Sequence, residues 1–199
     1  MPTTDSLQEL LQEELKDIYD AEKQLTKALP KLIKKASAPE LKEALEEHLG
    51  QTEEHLERLE QIFGQLDMPV RGKKCEGMQH LISEGNEMIG EAEDDAARDA
   101  VMIAAAQKVE HYEIASYGTC RTWANALGHT DAASLLEETL DEEKQADQKL
   151  TQIAESSVNQ DAASRGGDEE EEEANSGRGR RQSRSRNSRG AAADRPRRR

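Results

Sequence analysis

The chain has 199 residues and a formal charge of −15, and it is 35% charged and 34% hydrophobic, with one Phe, one Trp and three Tyr. So few strand-forming aromatics exclude a sheet protein and fit a single all-helical domain with polar additions. No apolar run is long enough to span a bilayer, and the acidic start MPTTDSLQELLQEE lacks the basic-then-apolar order of a secretory signal, so a cytoplasmic protein without membrane contact is expected.

Ser6, three residues before Glu9, is placed to cap a first helix with the stripe Leu11, Leu15, Ile18, Glu22, Leu25, Leu29, Leu32. Glu22 interrupts its apolar face. Pro30 predicts a kink or local break late in this helix, since it lacks an N–H and crowds the preceding turn. Residues 36–39 then turn the chain, with Ser37 as a cap and Pro39 early in the next helix. That second helix aligns Leu41, Leu45, His48, Thr52, His55, Leu59 and Ile62, with Gln51 beside the stripe, and it ends between Gly64 and Gly72.

Met78, Leu81, Ile82, Met88 and Ile89 predict a short helix over 75–91, inside what would otherwise be a long connection. Cys75 and Cys120 are too few for a disulfide framework and have no Cys or His at zinc-motif spacing, so they read as reduced thiols, Cys120 packed and Cys75 near a loop. A third long helix, from about Asp94 to Leu127 and ended by Gly128, carries Ala96, Ala100, Ile103, Gln107, Glu110, Ile114 and Tyr117, with Glu113 one turn from Glu110. The last helix, from about Thr130 to Glu155, carries Ala132, Leu136, Thr139, Glu143, Ala146, Leu150 and Ile153. Two hairpins joined by a long crossover predict an all-α, ferritin-like antiparallel four-helix bundle with an additional short helix in the crossover.

A carboxylate taken out of water costs on the order of several kcal/mol unless it is paired or ligates a cation. Glu22 and Thr52 are each fifteen residues from Ser37, and Glu113 and Glu143 are each fifteen from Gly128. With both turns at one end of the bundle, these four form a layer roughly 22 Å along it. His55, Glu110 and Asp147 then form a second layer about one turn away, and His48 lies on the opposite side as a ligand or supporting group. Carboxylates with one or two imidazoles, converging from four helices in two adjacent layers, suit a pair of hard-to-borderline metal ions. The alternative is a set of ordinary solvated charges.

The charge is unevenly placed. Residues 1–160 hold 34 acidic and 16 basic side chains, a net −18, whereas residues 174–199 hold ten Arg and one Asp, a net +9. This divides the chain into a bundle domain, 1–159, and an acidic-then-Arg-rich tail, 160–199, with too little apolar surface to order itself and therefore predicted to be disordered. The tail has no aromatic residue among its arginines, so it predicts at most weak, salt-sensitive, sequence-independent binding to nucleic acid. Leu7, Leu10, Leu49, Leu56 and Leu66 lie off the core stripes and predict a homodimer.

The segments LKDIYDAEKQLTKALPKL, EEHLGQTEEHLERLEQ, CEGMQHLISEGNEMI, AAAQKVEHYEIASYGT and LLEETLDEEKQADQKLT resemble the YciF-type (YciE/YciF) ferritin-like stress proteins of bacteria, over roughly residues 5–158. The resemblance implies a small di-iron-type bundle, a homodimer and a role in the stress response. Similarity to rubrerythrin-like di-iron proteins implies Glu22, Glu110, Glu113 and Glu143 as ligands, with His55 retained. Thr52, with Gln51 adjacent, stands where the pattern has a Glu, and Ala146 or Asp147 where it has a His, which leaves one tight and one weak metal site as an alternative to two full ones. Two function classes follow. One is a redox protein in which Fe(II) consumes peroxide or dioxygen. The other is a non-catalytic structural or binding stress protein with a metal-poor bundle, whose tail engages nucleic acid or a partner.

Overall fold

The computed structural model describes residues 6–164, which are helical apart from short connections. Helix α1 (Leu7–Lys35) opens on the predicted capping box: the Ser6 hydroxyl accepts from the Glu9 amide at 3.2 Å, and the Glu9 carboxylate accepts from the Ser6 amide at 3.2 Å. Pro30 does not break it. The helix runs on to Lys35, and the Ala36 amide reaches the Leu32 carbonyl at 2.9 Å, so the missing N–H at position 30 is absorbed within an otherwise continuous element.

Helix α2 (Pro39–Gln65) begins differently from the sequence expectation. Its N-cap is Ala38, which has no side chain to do the capping, and Ser37 does not act as the cap. Asp99 takes that role from another helix: its carboxylate accepts from the Ser37 amide at 3.0 Å and the Ala38 amide at 2.6 Å. Pro39 at the first helical position has no N–H to satisfy, and the buried Asp99 carboxylate stands at this positive helix end, bonded to the two amides that precede it.

Helix α3 (Glu76–Glu91) lies in the crossover and α4 (Asp95–Ala126) follows, capped by Asp94 through the Ala96 and Ala97 amides. The chain reverses at Gly128, whose φ of 82° lies in the left-handed region that favours glycine, and α5 (Thr130–Ile153) runs into a π-helical turn, Ala154–Val158. The helical course continues to Ser164, past the expected boundary at 160. The rest of the predicted tail lies outside the described residues.

Neighbouring helices pack as α1 on α2, α2 on α5, α5 on α4 and α4 on α1, with α3 against α4 and α1. Two contacts define their directions. The α1–α2 turn bonds to Asp99 near the start of α4, and the α4–α5 turn reaches the start of α1, where His129 Nε2 lies 2.9 Å from Gln8 Oε1. The two turns are therefore at opposite ends, not at one end as the register count assumed. The crossover carries the chain back along the bundle, so that α4 starts beside the first turn and every packed pair of long helices is antiparallel. This is the ferritin-like arrangement.

Candidate metal centre

Each long helix delivers a polar group to the middle of a core that is otherwise mainly aliphatic. Glu22, Thr52, His55, Glu113 and Glu143 are 0% exposed, Glu110 3% and His48 6%, so none of their charges is solvated. Two groups form among the described residues: His48, Glu110, Glu113 and Glu143, and Glu22, His55 and Glu143. Within each, one ligand atom per residue lies within 4.8 Å of the others. Glu143 belongs to both. Its Oε1 is 3.1 Å from His55 Nδ1, and its Oε2 is 3.9 Å from His48 Nε2.

The donors fit cations. Glu22 Oε2, Glu110 Oε2, both oxygens of Glu113, Glu143 Oε2 and His48 Nδ1 are buried without a hydrogen-bond partner, while Glu143 Oε1 and His55 Nδ1 face each other at 3.1 Å. Such orphaned lone pairs are costly in a core unless a cation or proton meets them. Burial pushes the Glu110 and Glu113 carboxyls well above the ordinary range, with Glu143 and Glu22 adding to the effect. Burial likewise raises Glu143. Burial alone would lower His55, but Glu143 and Glu22 outweigh it and hold the imidazole up at about 11, so its proton stands where positive charge is wanted.

An outer layer orients these groups. His55 Nε2 lies 2.9 Å from Glu142 Oε2, which leaves Nδ1 facing Glu22 at 3.4 Å and Glu143 at 3.1 Å. Arg58 grips Glu142 with both terminal nitrogens and also donates to Thr139 Oγ1 at 3.2 Å. Arg58 and His55 draw the Glu142 carboxyl below its ordinary value despite its burial. Tyr117 donates to Glu22 Oε1 at 2.5 Å, and its own hydroxyl is pushed up by burial and by the Glu22 charge.

A family model described as Domain of unknown function (DUF892) matches residues 6–163. The chain belongs to that family. This DUF892 chain is 49% identical over 152 residues to Protein YciF of Escherichia coli (strain K12), covering 76% of this chain and 92% of YciF. The solved structure of the E. coli stress protein YciF matches with a TM-score of 0.75 and 47% identity, covering 78% of this chain and 98% of that one. YcfI from Rhodopseudomonas palustris, for which a structural role has been suggested, matches with a TM-score of 0.75 and 44% identity, covering 76% and 96% of the two chains.

In the DUF892 chain the sequence-predicted residues are only partly rearranged from the predicted layers. Because the second hairpin is inverted, Glu110 lies on the His48 side, 3.4 Å from its Nε2, instead of level with His55. His48 therefore lies with Glu110, Glu113 and Glu143 in a group that could hold a cation. Thr52 is buried among them, but its hydroxyl bonds back to the His48 carbonyl at 2.9 Å. Gln51 lines a cleft beside His48. Asp147 is displaced to the α4–α5 seam, where Gln107 Nε2 donates to it at 3.0 Å and to Thr151 at 2.8 Å. Sequence reasoning missed Arg58, Glu142 and Asp99. Helical spacing could have offered Glu142 only as a neighbour of Glu143, because it names no partner across the bundle.

Proposed function

We propose that this chain is a ferritin-like metal-carboxylate protein of the stress response, in which iron held by the two Glu/His groups consumes peroxide or dioxygen. The carrying observation is the set of buried, unpartnered carboxylate oxygens on Glu22, Glu110, Glu113 and Glu143. In this reading one ion is held by Glu22, His55 and Glu143, and the other by His48, Glu110, Glu113 and Glu143, with Glu143 shared. Two Fe(II) ions held there would supply the two electrons that, with two protons, convert one hydrogen peroxide to two waters. The protein's part is to hold the ligands in a dry core, fix the His55 tautomer through Glu142 and Arg58, and orient Glu22 through Tyr117. Manganese and zinc suit the same donors. The reading also has the protein act in the cytoplasm as a homodimer, with weak nucleic-acid binding by Arg178–Arg199.

One observation favours the second class, a structural or binding protein: Thr52 occupies a ligand position and satisfies itself within α2. The structural role suggested for YcfI is in keeping with it. The two classes separate on metal content after purification without added metal, followed by anaerobic Fe(II) titration and exposure to oxygen and to peroxide. The redox reading expects Fe(II) uptake, and oxidation faster than that of free Fe(II). Glu143→Ala should abolish uptake at both positions, and Glu22→Ala should leave the His48 position filled. Parent-like iron binding in both variants means that the site is elsewhere.

A further inference from the structure

We propose that the cleft between α2 and α5 is the vestibule through which hydrated divalent cations reach His48 and Glu110, an inference that rests on the metal-binding reading above. His48 and Glu110 line this cleft although they are only 6% and 3% exposed, so it connects the buried donors with the surface. Its volume is ≈ 330 Å³. A cation with six waters displaces about 180 Å³ at about 30 Å³ per water, less than the volume of the cleft. A second cavity, between α1, α3 and α4, also touches His48 and Glu110, but it is ≈ 40 Å³ and walled mainly by side chains such as Leu25, Leu29, Ile82 and Ile89. It is too small and too apolar for a hydrated ion.

The vestibule wall suits stepwise dehydration. Ala44 and Ala146 keep it open, while the amides of Gln51, Gln145 and Gln148 offer oxygens that can replace departing waters. At the rim Lys149 pairs with Glu47 across the α2–α5 gap, so the mouth carries no uncompensated positive charge to repel a cation. Ala146 lines the cleft together with His48. Its small side chain keeps open the space beside His48.

A removable plug tests this. Cys75 and Cys120, the chain's two cysteines, are both 0% exposed, whereas Gln148 is exposed, so Gln148→Cys gives a selectively reactive thiol. Full-length Gln148→Cys is labelled with a bulky aromatic methanethiosulfonate, and Co(II) uptake is followed by stopped-flow absorbance, with Asn86→Cys at the apolar cavity labelled in parallel. The expected result is uptake slowed on the order of tenfold by the label at 148, unchanged final stoichiometry, and full recovery on reduction. Ala146→Phe should slow uptake similarly. An unchanged rate at 148, or slowing only from the label at 86, overturns the vestibule while the metal site stands. If the unlabelled parent takes up no Co(II) at equilibrium, the metal reading fails and the vestibule with it.

Discussion

Glu110 and Glu113 can meet the core in two ways, by keeping a proton or by binding a cation, and pH separates them. An unfolded Glu titrates near about 4.3. Both carboxyls are raised above that in the fold, and Glu143 follows, so above this pH the folded metal-free protein holds more protons than the unfolded chain. Stability from such groups is fully present below the unfolded value and is lost as pH rises through the folded one. His55 has the same sign, its advantage lasting until about pH 11. Glu142 beside the site has the opposite sign, as has Glu13 on α1, and their lowered values make their contributions disappear as pH falls, below the window that matters here. With EDTA present, Tm should therefore fall as pH rises from about 5 to 9, whereas saturating Mn(II) should flatten or reverse the slope, because metal binding displaces those protons. An EDTA-treated protein that gains stability across this range would contradict the assignment. The inward carboxylates were legible because a Glu in the middle of an apolar helical stripe is conspicuous one helix at a time. Glu142, Arg58 and the Tyr117 hydroxyl were not, since their roles exist only through partners on other helices, and helical spacing carries no information across the bundle.

Each helix end poses the same problem of unmatched amides, and α2 solves it with a residue from α4. Local rules pointed to Ser37, because Ser is a good cap and Pro39 follows, but the Ser37 side chain makes no cap bond and Ala38 holds the N-cap position. Asp99 replaces both while lying sixty-two residues from Ser37, a distance at which no local signal exists. Removing its carboxylate strands the Ser37 and Ala38 amides at a helix N-terminus, a loss of about 2 kcal/mol. Asp99→Ala should lower Tm by several degrees, Asp99→Asn by less, and neither should change metal stoichiometry, since Asp99 belongs to neither ligand group. Chemical denaturation showing less than a few tenths of a kcal/mol for Asp99→Ala would mean that the cap is idle. The same contact explains why the register count was half right. Residues fifteen from either turn fall near mid-bundle whichever end the turns occupy, so the Glu22, Thr52, Glu113 and Glu143 layer survives inversion. Groups eighteen residues out move in opposite directions, which separates Glu110 from His55 and delivers it to His48.

Charge and apolar surface act together on the whole chain. The residues through 160 carry a net −18, so copies repel at low salt, yet Leu10 is 41% exposed and Leu7, Leu49, Leu56 and Leu66 are only half-buried on α1, α2 and just beyond α2. At moderate salt the repulsion is screened over roughly 10 Å, and the proposed homodimer would use a two-fold contact between these leucines. The tail bears on association differently. The proposed nucleic-acid binding by Arg178–Arg199 would neutralise phosphates with an affinity that falls steeply as salt rises, and the acidic run Asp168–Glu173 carries charge that would oppose it. One truncation separates these terms. Because Val158 is buried and the helical course reaches Ser164, the cut belongs after Ser164 and not inside the π-helical turn. Light scattering at moderate salt should give twice the chain mass for both full-length and truncated protein, and iron content should be equal in the two. DNA binding should be weak and salt-labile at full length and should vanish on truncation. A monomer mass for both forms removes the leucine interface; a dimer only at full length moves the interface to the tail. Undiminished DNA affinity after the cut assigns binding to the bundle, against its charge.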